Sequence, residues 1–127
     1  MTGMTRRHRK AAVALTAVVV GAAGLWIRAA AVSRDQVREI AIAGADFAFS
    51  PPRVEVQKDD LVRVTFTAKD LAHSFTIDVP YRISKRAGAG QSVVFEFRAD
   101  EAGRFPFYCN LTQDERCRKM RGELVVR

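Results

Sequence analysis

From Ile40 onward, apolar side chains recur at every second position of the chain. Ile40 and Ile42 alternate with Glu39 and Ala41, and Val54 and Val56 with Arg53 and Glu55. Val62, Val64 and Phe66 alternate with Arg63, Thr65 and Thr67. The same period returns at Phe75 and Ile77, at Val93, Phe95 and Phe97, at Phe105 and Phe107, and at Leu124 and Val126. A strand places successive side chains on opposite faces, so each run predicts a half-buried strand. Turn-forming residues separate them: Ser50-Pro51-Pro52, Asp59-Asp60, Gly88-Ala89-Gly90 and Ala102-Gly103. About seven short strands in roughly 90 residues predict an all-β domain of two packed sheets. No segment of this region shows a convincing helical period.

The first part of the chain is built differently. Arg6, Arg7, Arg9 and Lys10 precede 17 uncharged residues, Ala11 to Ile27, after which come Arg28 and the small residues Ala29-Ala30-Ala31. A basic stretch, an apolar run and small residues are the layout of an export signal. As a helix the run reaches about 25 Å at 1.5 Å per residue, short of a bilayer core of about 30 Å. Extension through Val32, with Arg28 snorkelling and Trp26 at the interface, closes the gap. The expected organisation is an N-terminal hydrophobic helix at 1–32, serving as signal or membrane anchor, a polar linker at 33–37, and a domain at 38–127. Removal of the segment and its retention as an anchor both stay open. Either way the domain is expected on the extracytoplasmic side, in the periplasm or at the cell surface, where cysteines oxidise.

Charge sharpens this division. The formal net charge of +7 suggests nucleic acid until it is mapped, for residues 33 to 127 hold 16 basic and 14 acidic side chains. That balance leaves no electrostatic footprint for DNA or RNA. The domain also lacks a nucleophile-base-acid constellation, and Gly88-Ala89-Gly90 precedes a strand rather than opening a helix, so no phosphate loop is present. No enzymatic activity is expected.

Candidate chemistry is confined to few residues. Downstream of Ser33 the soft metal ligands are His73, Cys109, Cys117 and Met120. His73 shares parity with Phe75 and Ile77, and Cys109 with Phe105 and Phe107, so both point into the sandwich. Met120 shares parity with Leu124 and Val126, although Gly122 intervenes. Periodicity says nothing about Cys117, which lies within the loop.

Two stretches carry a resemblance. Phe47-Ala48-Phe49-Ser50-Pro51 and Asp70-Leu71-Ala72-His73-Ser74-Phe75 form the first; Gly103-Arg104-Phe105-Pro106-Phe107-Tyr108-Cys109 and Met120-Arg121-Gly122-Glu123-Leu124-Val125-Val126 form the second. Together they resemble the cupredoxins, and within them the copper domain of cytochrome c oxidase subunit II, over most of residues 38 to 127. The resemblance implies a Greek-key β-sandwich, copper as cofactor and one-electron transfer. It also implies a redox or copper-exchange protein partner, with a membrane respiratory complex among the candidates.

The loop departs from that family. Its pattern is Cys, three residues, Cys, three residues, His, two residues, Met; counted from Cys109, the second Cys and the His fall on Gln113 and Cys117. One sulfur bridge is missing and a thiolate replaces an imidazole. The expected site is therefore mononuclear, with His73, Cys109, Cys117 and Met120 as ligands. A blue site has two His, one Cys and an axial Met, so this softer set favours Cu(I).

Cys109 and Cys117 admit a second reading, because two cysteines in a small exported domain usually pair. A disulfide over so short a loop gains less than the ~3 kcal/mol of a 15-residue loop. On that reading the domain is a non-metal interaction or assembly module. A thiol-disulfide enzyme is a third, weaker class, since such enzymes space their cysteines more closely, as in C-x-x-C.

Overall fold

The computed structural model describes residues 37–127. The N-terminal helix and most of the linker expected from the sequence lie outside the described residues. Among the described residues no helix is long and apolar enough to cross a membrane.

Nine strands and one short helix follow in order: β1 (Val37–Ala45), β2 (Ala48–Ser50), β3 (Arg53–Val56), β4 (Leu61–Ala68), β5 (His73–Ile77), β6 (Ile83–Ala87), β7 (Ser92–Arg98), β8 (Gly103–Tyr108), α1 (Glu115–Lys119) and β9 (Arg121–Val126). They form two sheets, of order β2-β1-β4-β7 and β3-β9-β8-β5-β6. The period-two runs become seven of these strands, and the fold is the expected all-β two-sheet sandwich.

Three elements were not legible as such. β2 has only three residues, too few to show a period. In β6 only the end residues Ile83 and Ala87 are buried, so its inward positions do not alternate. The absence of a helix is corrected by α1: the Asp114 side chain accepts the Arg116 N–H at 2.9 Å and caps it. Glu115 in its first turn and basic residues in its last complement the helix ends.

The core between the sheets is aromatic. The Phe75 and Phe107 rings lie 4.8 Å apart between centroids, and Phe49 meets Phe107 edge-on at 5.0 Å. Phe66 and Phe95 extend the cluster. Burial drives this assembly, at about 25 cal/mol per Å² of apolar surface removed from water. Phe107 stands opposite Gly122 in the β8–β9 ladder, and a Cβ built on Gly122 would overlap its ring. The glycine is thus required for close approach. Gly122→Ala should cost about 1–3 kcal/mol through overpacking. Thermal unfolding of the full chain, with a Tm lower by on the order of 10 °C, checks this.

The strand ladders also position one pole of the sandwich. Tyr108↔Arg121 is the last pair between β8 and β9, so Cys109 and Met120 lie one step beyond it. β5 begins at His73 and pairs with β8 through Thr76↔Tyr108. The three termini therefore meet at the same end of the fold.

Candidate metal centre

His73, Cys109, Cys117 and Met120 are all buried, with relative exposures of 0%, 1%, 3% and 1%. Strand parity accounts for His73 and Cys109. Cys117 is buried by α1, which turns its position 117 inward and leaves Arg116, Arg118 and Lys119 exposed. Met120 caps the C-terminal end of α1, its N–H donating to the Cys117 carbonyl at 3.0 Å. Residues three apart on a helical turn share a face, and so residues 117 and 120 reach the interior together.

Ligand atoms of His73, Cys109 and Cys117 all lie within 4.8 Å of one another. In this structure Cys109 and Cys117 are joined as a disulfide, with their Cα atoms 5.5 Å apart. The sulfurs are held as one bonded pair rather than as separate thiolates. Of the three readings the sequence left open for them, a bonded pair is the second.

The His73 ring is fixed on several sides. Asp70 Oδ1 lies 2.7 Å from Nε2. The Asp70 carboxyl is held well below the usual carboxylate range by the Asp46 backbone N–H, then by His73 and the Leu71 backbone N–H. An ionised carboxylate only accepts, so the proton between them belongs to Nε2. In the neutral imidazole this leaves the lone pair on Nδ1, which faces Cys117 Sγ at 3.9 Å. A carboxylate behind a histidine fixes its tautomer and strengthens it as a donor.

Gly44 admits the other face of the ring. A Cβ at that position would come within 3.1 Å of His73 Cδ2. Phe47 closes the outer edge, its ring at right angles to the imidazole with centroids 5.9 Å apart. Arg116 of α1 lies over the Phe47 ring at 4.1 Å. Asp46 and Phe47 form the two-residue turn between β1 and β2, with φ of 48° and 56°. Two positive φ angles give the turn that matches strand twist, yet a bulky aromatic rarely adopts one. The unfavourable backbone at Phe47 is what sets its ring against the histidine.

A second set of bonds ties the strand carrying His73 to the one carrying Cys109. The Ser74 hydroxyl donates to Asn110 Oδ1 at 2.7 Å and accepts the Asn110 N–H at 2.8 Å. The Ser74 backbone N–H donates to Cys109 Sγ at 3.4 Å. Each partner directly follows a candidate ligand, so the clamp fixes ligand spacing. Sequence reasoning missed Asp70, Ser74, Asn110 and Phe47 as contributors to the site. The polar ones lie within three positions of His73 or Cys109, which was the available signal.

A buried imidazole with Nδ1 turned to a pair of sulfurs, and a buried methionine at the same pole of a β-sandwich, define a candidate copper protein. The donor chemistry fits a soft ion once the sulfurs are thiols. Residues 15–126 match the cupredoxin-like domain, and the chain belongs to that family. Among curated protein sequences none matches it.

Solved structures agree on the fold. Auracyanin A, a "blue" copper protein from the green thermophilic photosynthetic bacterium Chloroflexus aurantiacus, is 18% identical with a TM-score of 0.63, covering 72% of this chain and all 100% of its own. A chain of a heme-copper terminal oxidase dimer is 14% identical with a TM-score of 0.62 over 71% of this chain, which spans only 65% of the oxidase chain. Reduced amicyanin is 18% identical with a TM-score of 0.54, over 70% of this chain and 82% of its own. At these identities the likeness establishes the fold alone: an all-β two-sheet sandwich of cupredoxin type.

Proposed function

We propose that this chain is an extracytoplasmic copper-binding protein that holds one copper ion through His73, Cys109, Cys117 and Met120 while its cysteines are thiols. The observation that carries the reading is the His73 imidazole: buried, with Nε2 committed to Asp70 and Nδ1 turned to the sulfurs. A histidine with a purely structural role has no need of this arrangement at a pole it shares with two cysteines and a buried methionine. Copper would supply one-electron chemistry there. The excess of sulfur over nitrogen favours Cu(I), so capture or delivery of Cu(I) ranks ahead of electron transfer. The partner is a copper-exchange or redox protein, with a membrane respiratory complex among the candidates. The basic and apolar N-terminal segment supports export, as a retained anchor or a cleaved signal.

The disulfide favours one other reading, in which the domain keeps a copper fold without copper and serves as an interaction module. Metal analysis separates the two. The full chain, reduced anaerobically and freed of reductant, should retain one equivalent of Cu(I) against a competing chelator. A colourless complex identifies Cu(I) handling, and a visible thiolate-to-copper(II) band on oxidation identifies electron transfer. A reduced chain that retains no copper removes the metal reading in favour of the module.

A further inference from the structure

The two sulfurs of the disulfide have unlike surroundings. A surface depression of about 290 Å³ beside α1 has Phe47, Leu71, Leu111, Gln113, Asp114 and Cys117 in its lining. Cys109 does not line it. Cys109 Sγ instead accepts the Ser74 backbone N–H at 3.4 Å, in the clamp between β5 and the end of β8. Cys117 Sγ has His73 Nδ1 at 3.9 Å. Cys117 thus borders the depression while itself buried, and Cys109 does not border it and has a fixed donor that stabilises its sulfur as an anion.

We propose that Cys109–Cys117 is an exchangeable disulfide, opened by thiolate attack on Cys117 Sγ from this depression with Cys109 as the leaving thiolate, and that its co-reactant is a dithiol protein. The partner's thiolate bonds to Cys117 Sγ as the Cys109–Cys117 bond breaks, and the electron pair passes to Cys109 Sγ. That thiolate takes up the proton the partner's first thiol gave up. The partner's second thiol then loses its proton and attacks its own sulfur in the mixed disulfide. Cys117 Sγ leaves with the bonding pair and takes up the proton that the partner's second thiol gave up. The partner ends as a disulfide and this chain as a dithiol, with two electrons and two protons transferred. The Asp114 carboxylate lines the depression and Arg116 is paired with it, so the charge at the entry is mixed.

The exchange deepens the copper reading, on which it rests for its purpose though not for its chemistry. Only the dithiol offers thiolate ligands, so a dithiol partner decides when the site can load.

The experiment uses the full wild-type chain, free of metal, under native conditions. Glutathione is added, the reaction is quenched with acid, and mixed disulfides are located by peptide mass mapping. Because exchange rate depends on which sulfur is attacked and on access to it, glutathione should be found on Cys117 at least about tenfold more than on Cys109. Dithiothreitol should also reduce the folded chain, as followed by intact mass. Adducts divided equally or favouring Cys109 overturn the proposal. So does a folded disulfide that resists dithiothreitol at a concentration that reduces the denatured chain. Copper titration of a chain reduced in denaturant and refolded is read separately, so the copper reading and the exchange stand or fall independently.

Discussion

A reduced chain carrying Cys109→Ser is expected to lose Cu(I) affinity by more than about 100-fold, beyond the 10–100-fold cost of losing an outer partner of a metal ligand. The hydroxyl that replaces the thiol is hard and protonated, and a soft ion gains little from it. Asp70→Asn supplies the scale, because it leaves every candidate ligand in place. It should cost only about 10–100-fold, through loss of the charged acceptor behind His73 Nε2. The measurement is competition with a Cu(I) chelator, with far-ultraviolet circular dichroism confirming that each variant keeps its strands. If Cys109→Ser holds copper as tightly as the parent, the proposed site is wrong.

Phe107→Ala should be the most damaging single change to the fold, costing about 3–5 kcal/mol. Phe107 is fully buried and packs on Phe49, Phe75 and the bare backbone of Gly122. Truncation removes the transfer energy of the ring and leaves a cavity between the two sheets. Small domains have about 5–15 kcal/mol of stability in total, so the loss is a large share of it. The Tm should fall by on the order of 20 °C, and urea unfolding should show a lower midpoint at unchanged slope. A fall of only a few degrees would mean that the Phe49 and Phe75 rings close over the gap. Phe107 lies two residues before Cys109 on the inward face of its strand, so the damage reaches the site as well.

The sandwich was legible because its strands are amphipathic at a fixed period, and burial of one face depends on little else. His73 and Cys109 were legible for the same reason, since their parity with Phe75 and Phe107 sent them inward. The limits of that signal are equally physical. β6 buries only its two ends, and Ser74 and Thr76 of β5 are buried although their parity turns them away from the core. Neighbours on the outer face, Asn110 over Ser74 and Tyr108 across from Thr76, cover them. Cys117 could not be directed by a strand period because it sits on a single helical turn, whose only sequence mark is the cap at Asp114. Asp70 reaches His73 by a hydrogen bond from the segment just before β5, a local contact without a period, and Phe47 reaches it from the β1–β2 turn through unfavourable backbone. The Phe47 contact depends on three-dimensional closure and leaves no period behind.

Because the β8–β9 rungs stop at Tyr108 and Arg121, the ten residues between Cys109 and Met120 hang from two fixed posts without contributing a rung of their own. Beyond Asn110, Leu111, Arg116 and Cys117, which touch the sandwich, the strand ladders do not depend on what that excursion contains. Selectivity for one ion over another, or for none, can be rewritten there by exchanging a short cassette, while the walls that carry the histidine keep their shape.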